Sequence, residues 1–157
     1  MKLLAGIGIA VGGVVLAVLF LWPGPIQGPE PIAYGRDACA QCRMHMSRVG
    51  FAGEMRDREG RLTKYDDIGC LLRAMVATHR EVPETWVEDH DSGAWISLLA
   101  AHFVRSPRTD TPMGYGIVAF ETEPAANAFA AREGGTIAQL EDILHQPGSL
   151  AVAGRTP

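Results

Sequence analysis

The sequence predicts an α+β domain of two ββα units, set behind an N-terminal transmembrane helix. Three observations predict it: an uncharged apolar run near the N-terminus, a strand, strand, helix pattern in the first half of the remaining chain, and a fainter repeat of that pattern in the second half.

The apolar run opens at Leu3, directly after Met1 and Lys2, and closes on Trp22. At about 1.5 Å per residue this stretch makes about 30 Å of helix, the thickness of a bilayer's hydrocarbon core. A cleaved signal peptide would need a shorter apolar core and small residues at its end. Here the run ends in Trp22-Pro23-Gly24-Pro25, a residue suited to the interface followed by helix-stopping prolines. No cysteine stands near its end to carry a lipid. Lys2 precedes the span, and Glu30 is the one charged residue between Trp22 and Gly35. The positive-inside rule therefore puts the N-terminus in the cytoplasm and the bulk of the chain outside it. Gly8 and Gly12 form one G-x-x-x-G, read as the ordinary glycine content of membrane helices.

Residues 23–36 are rich in Pro and Gly and read as a stiff tether. Residues 37–146 suffice for one compact domain, and residues 147–157 are a tail. All eighteen acidic residues lie beyond the span, against thirteen of the fourteen basic ones, with no basic run. That balance argues against nucleic acid as a partner and against adhesion to anionic lipid.

Within the domain, strands are expected from Phe51 to Met55 and from Leu62 to Tyr65, joined by the polar turn Asp57-Arg58-Glu59-Gly60. Asp66 is the expected N-cap of a helix in which Ile68, Leu71, Leu72 and Met75 recur at helical spacing. Further on, Trp86-Val87, Trp95-Ile96 and His102-Phe103-Val104 are short strand candidates, and the run from Gly116 to Phe120 is a stronger one. An alanine-rich helix follows from Glu123 to Glu133, ended by Gly134-Gly135. Tyr65-Asp66-Asp67 entering the first helix is echoed by Phe120-Glu121-Thr122 entering the second. The echo suggests a duplicated ββα unit, although the match is loose.

The chemistry concentrates in Cys39-Ala40-Gln41-Cys42-Arg43-Met44-His45-Met46, which holds two of the three cysteines. A lone C-x-x-C fits a structural zinc half-site, a redox dithiol or a soft-metal site. Zinc would require a second C-x-x-C or a paired histidine motif, and neither is present. A thioredoxin-like dithiol would open a helix, whereas this stretch runs into a glycine and a hairpin. A thioether is neutral, soft and a poor zinc ligand, and with thiolate it selects Cu(I). Cys42-x-Met44 therefore reads as copper. In an extended chain Cys42, Met44 and Met46 would share one face, and in a turn His45 could approach. A Cys39–Cys42 disulfide is the alternative in an oxidising compartment. Met46 can equally be a core residue, and His45 a solvated one. Cys70, in the first helical turn, is either a third thiol ligand favoured by the helix dipole or a small apolar residue among Ile68, Leu71 and Leu72, the reading preferred here. His79, His90, His102 and His145 have no partners at ligand spacing.

Three segments, Cys39-Ala-Gln-Cys-Arg-Met44, Tyr65-Asp-Asp-Ile-Gly-Cys70 and Thr111-Pro-Met113-Gly-Tyr-Gly-Ile-Val-Ala-Phe120, in this order and at these separations, resemble the NosL family. Those are copper-binding accessory proteins of nitrous oxide reductase maturation. The resemblance spans roughly residues 34 to 145. It implies paired ββα units related to the organomercurial lyase fold, no enzymatic activity, and a Cu(I) metallochaperone that serves the copper centres of that reductase or a related enzyme. It also implies a copper-accepting partner in the maturation machinery, or a complex linked to an ABC transporter at the membrane. The family's Cys and Met ligands map onto Cys42, Met44 and Met113, with Cys39 beside them. Two departures stand out: family members are typically lipoproteins, where this chain has a span, and the family carries glycine where this chain has Arg43. The competing function is a periplasmic thiol-disulfide oxidoreductase that uses Cys39 and Cys42.

Overall fold

The computed structural model describes residues 28–78, 84–145 and 150. The expected span from Leu3 to Trp22, the first part of the tether, His79 and nearly all of the tail lie outside the described residues. Among the described residues no helix is long and apolar enough to cross a membrane.

The first hairpin pairs β1 (Gly53–Arg56) with β2 (Leu62–Tyr65). Its turn is organised by Asp57, whose carboxylate accepts the N–H groups of Glu59 and Arg61, and by Gly60 at a positive φ. Helix α1 (Ile68–Thr78) follows, and β3 (Glu84–Glu88) returns to pair antiparallel with β1 on its free side. β4 (Trp95–Ser97) extends the sheet, giving the order β2-β1-β3-β4. After a 3-10 turn at Leu98–Ala100 the pattern recurs. β5 (His102–Arg105) pairs with β6 (Ile117–Phe120), α2 (Glu123–Glu133) follows, and β7 (Thr136–Ala138) pairs with the free side of β5. The second sheet therefore has the order β6-β5-β7. A short helix α3 (Leu140–His145) closes the described chain.

Each half is thus a ββαβ unit with its first strand in the middle of three, one strand more than the repeat expected from sequence. The echo between Tyr65-Asp66-Asp67 and Phe120-Glu121-Thr122 is a true equivalence: both triplets end the second strand of a hairpin and lead into the helix. It also corrects one assignment. The first helix is capped by Asp67, whose Oδ1 accepts the Gly69 N–H at 2.8 Å, in the place of Thr122, which accepts the Ala125 N–H at 3.4 Å. Asp66 turns the other way and accepts from Ser47.

The period-2 pattern of the second sheet puts apolar groups on both faces. Phe103, Ile117 and Ala119 face the main core with Ile68, Leu71 and Leu72 of α1, while Val104, Val118 and Phe120 face a second core with Ala126, Phe129 and Ala130 of α2. α1 rides close on β1 because Gly53 has no side chain; a Cβ there would lie 2.6 Å from Leu71 Cδ2. The halves are tied by Asp89, which bridges to Ala119 and accepts the Glu121 N–H on one oxygen and the Ser92 N–H and hydroxyl on the other.

The face of the first sheet away from α1 is covered by the end of the tether. Arg56 donates to the Gly28 carbonyl at 2.6 Å, Glu54 Oε2 accepts the Glu30 N–H at 2.8 Å, and Lys64 Nζ donates to the Pro31 carbonyl at 2.9 Å. Glu54 is fully buried, its other oxygen has no hydrogen-bond partner, and Lys64 stands 3.9 Å away. Burial pushes its carboxyl up to about 7, against the pull of the Glu30 N–H and the Lys64 charge. A carboxyl raised on folding stabilises the fold below its unfolded value and loses that contribution as pH rises through the folded one. Wild type should therefore lose about 3 kcal/mol more stability than Glu54→Gln between pH 4.5 and 8, measured by denaturant unfolding at the two pH values. Parallel pH profiles would contradict this.

Candidate metal centre

The segment from Asp37 to Met46 folds back on itself. The Cys39 N–H donates to the Met44 carbonyl and the Met46 N–H to the Asp37 carbonyl, both at 2.8 Å, and Ala38 bridges His45. At its tip the Arg43 N–H closes a tight turn on the Cys39 carbonyl at 2.9 Å. This turn places Arg43 at φ 67, a left-handed conformation in a residue other than glycine. The glycine expected from the family resemblance is what that conformation favours. Arg43→Gly should therefore stabilise the fold by about 1 kcal/mol, a rise of a few degrees in Tm, since the left-handed region costs a side chain about that much; an unchanged or lowered Tm would contradict it.

The turn lies against the end of β2, where the Ala40 N–H donates to the Lys64 carbonyl at 2.9 Å and Lys64 Nζ holds Asp37 at 2.8 Å. Beyond β2 the two consecutive aspartates reach to opposite sides. Asp66 binds the Ser47 N–H at 2.6 Å and so fixes the end of the cysteine segment. Asp67 Oδ2 accepts the Thr111 hydroxyl at 2.7 Å and the Met113 N–H at 2.9 Å, fixing the turn that carries Met113. Gly69 lets Tyr115 lie over the start of α1, where a Cβ would sit 2.1 Å from the Tyr115 ring.

The result is a cluster absent from any one motif. The sulfurs of Cys39, Cys42 and Cys70 lie within 4.8 Å of one another, and all three thiols are free. Cys39 and Cys70 are buried and Cys42 is half-buried. The Cys70 thiol donating to Cys39, helped by the N–H groups of Cys42 and Asp66 and opposed by burial, holds the Cys39 thiol down to about 5. Cys70 is pushed up by that same donation and by burial, and burial raises Cys42 as well.

The other candidates divide. Met44 is 54% exposed, and its backbone N–H points at the Cys42 sulfur. Met113 is half-buried and packs against the core cluster that includes Cys39 and Cys70. Met46 is fully buried in that core, so Cys42, Met44 and Met46 do not share one face as an extended chain would have them. His45 is exposed, with its Nδ1 at 2.8 Å from the Gly35 carbonyl. Cys70, expected to be packing, is both packed and part of the thiol cluster. Asp67 and Thr111 are the supporting residues that sequence reasoning missed, since either aspartate of the pair could have capped α1.

The NosL family profile matches residues 32–147. No curated protein gives a significant match. The fold is shared with the crystal structure of the copper chaperone NosL from Shewanella denitrificans, at TM-score 0.68 and 19% identity, over 78% of this chain and 98% of that one.

Proposed function

Because this chain belongs to the NosL family, we propose that its domain carries Cu(I) at the membrane surface and hands it to a copper-accepting partner during maturation of nitrous oxide reductase or a related copper enzyme. The observation that carries this reading is the grouping of three free thiols in one cluster, with Met44 on the same turn and Met113 on the turn held by Asp67. Copper is the cargo, and the domain needs no bond-making chemistry of its own. Soft sulfur holds the monovalent ion, and each thiol that binds it gives up a proton. Cys42 is the sulfur within reach of both the interior and solvent, and Met44 and Met113 supply neutral thioethers that engage or release without leaving a charge behind. A carrier that must release its ion needs an open side, and the exposed Met44 provides one.

The same geometry weighs against the dithiol oxidoreductase. Such an enzyme needs an accessible thiol with a lowered pKa. Here the lowered thiol, Cys39, is buried, and the accessible one, Cys42, is raised. In this reading residues 3–22 are an uncleaved inner-membrane anchor, the domain faces the periplasm, and the acceptor is a maturation factor or transporter-linked complex in the same membrane. An anaerobic Cu(I) titration of the full chain against a chromophoric chelator tests the carrier. One copper withdrawn from the chelator per chain supports it, and no competition sinks it.

A further inference from the structure

We propose that the end of the first sheet opposite the cysteine turn, which carries Leu99, Val76 and a groove beside Met75 and Trp86, lies in the interface of the bilayer that holds the chain's own span. This depends on the reading of residues 3–22 as a membrane anchor, and it goes beyond that reading by assigning the lipid-facing surface of the domain.

Strand register gives the first sheet two distinct ends. Arg56 pairs with Leu62 and with Glu84 at one, and Gly53 pairs with Tyr65 and with Val87 at the other. The cysteine turn sits at the Tyr65 end, where Ala40 is bonded to Lys64 and Ser47 to Asp66. The tether enters at the Arg56 end. Its Gly28 carbonyl is held by Arg56, and it then climbs past Glu54, which takes the Glu30 N–H, to Lys64, which takes the Pro31 carbonyl. Five residues lie between Trp22 and Gly28, about 18 Å at full extension, so the Arg56 end is the one kept beside the lipid.

That same end gathers exposed apolar side chains. Helix α1 leaves the sheet at Tyr65 and the chain re-enters it at Glu84, so the last turns of α1 come down to the Arg56 end. Met75 there lines a groove of about 200 Å³ with Trp86, Leu98 and Leu99, and the next residue, Val76, is 40% exposed. Leu99 is 88% exposed, more than any other large apolar residue among those described. A projecting leucine and valine beside a half-buried tryptophan make a surface suited to the boundary between headgroups and acyl chains.

Charge does not oppose the contact. Beyond the span the chain is acidic, but the hairpin turn at this end holds two acids and two bases, with Arg61 paired to Asp57 at 2.8 Å, and Arg56 is paired to Glu84 at 3.3 Å. The contact is therefore with neutral lipid, through apolar groups, and leaves the cysteine turn pointing away from the membrane.

Methyl-resolved NMR of the full chain, one copy per phosphatidylcholine nanodisc, tests this when phosphatidylcholine spin-labelled high on its acyl chain is added. Leu99 and Val76 methyls should broaden severalfold more than those of Val49 and Ile137, which are exposed away from this end. Leu99→Glu, a change at an exposed position, should remove the broadening of Val76. Broadening of the span's methyls with Leu99 and Val76 no more affected than Val49 and Ile137 would overturn the lipid-facing surface and leave the anchor standing. Span methyls that do not broaden would overturn both. Leu99 and Val76 signals that respond to the number of chains per disc and not to the labelled lipid would assign the surface to a second copy and overturn the proposal, and broadening that high salt abolishes would overturn the apolar contact.

Discussion

Cys42→Ser is expected to lower the Cu(I) affinity of the full chain by about a hundredfold or more, because it removes the one sulfur common to the interior and to the exposed rim. A hydroxyl is a hard, protonated donor that Cu(I) does not select, so the change deletes a ligand and leaves the volume nearly unaltered. The fold should survive it, since Cys42 is half-buried and its backbone, not its side chain, builds the turn. Far-ultraviolet circular dichroism and Tm should match wild type while chelator competition is lost. Met113→Leu should cost less, because a thioether contributes no charge to the ion. A Cys42→Ser chain that competes for copper as wild type does would remove Cys42 from the site, and with it the transfer route.

Asp67→Ala should be the most damaging substitution for stability. Asp67 is fully buried, and its two oxygens accept from Gly69, Thr111 and Met113, so alanine strands three donors at once. Loss of a helix cap costs about 1 kcal/mol and each buried donor left without a partner about 1 kcal/mol or more, for a total of about 3 kcal/mol. Burial raises the Asp67 carboxyl, and the Thr111 hydroxyl and the Met113 and Gly69 N–H groups pull it back. Asp67→Asn keeps one acceptor oxygen and should therefore lose less than alanine. Denaturant unfolding reads both, and a loss under about 1 kcal/mol for Asp67→Ala would show that the Met113 turn is held by other contacts. Copper affinity should fall together with stability, since Cys70 and Met113 are positioned through the same carboxylate.

Much of this architecture was legible from local pattern. α2 runs from Glu123 to Glu133 as its cap, proline and terminal glycines dictate, and β2 runs from Leu62 to Tyr65 as alternation and the preceding turn dictate. β7 was not legible: it is three residues long, mostly exposed, and lies directly after Gly134-Gly135, where local signals announce only an ending. The first strand starts at Gly53 and not Phe51, because Glu88 takes the Gly50 and Ala52 N–H groups at its carboxylate ahead of the ladder. At the site, Cys42 and Met44 announced soft-metal chemistry by composition alone. The third thiol could not, because Cys70 meets Cys39 only when α1 folds over the cysteine turn, and no spacing rule links positions so far apart in the chain. Its apolar neighbours pointed to packing, and packing is what brings it there.

Lys64 joins two things that sequence keeps apart. Its ammonium holds Pro31 and Asp37 while its carbonyl holds Ala40, so the end of the tether and the cysteine turn are fastened to one residue. With residues 3–22 embedded as proposed, five residues separate the bilayer from Gly28, a leash of at most about 18 Å. The cargo would then be presented at a nearly constant height and heading above the lipid. A receiver in the same membrane would meet it by diffusing in two dimensions, at a high local concentration and with part of the orientational search already done. Loosening that fastening, as in Lys64→Ala, would leave copper affinity largely intact and slow delivery instead.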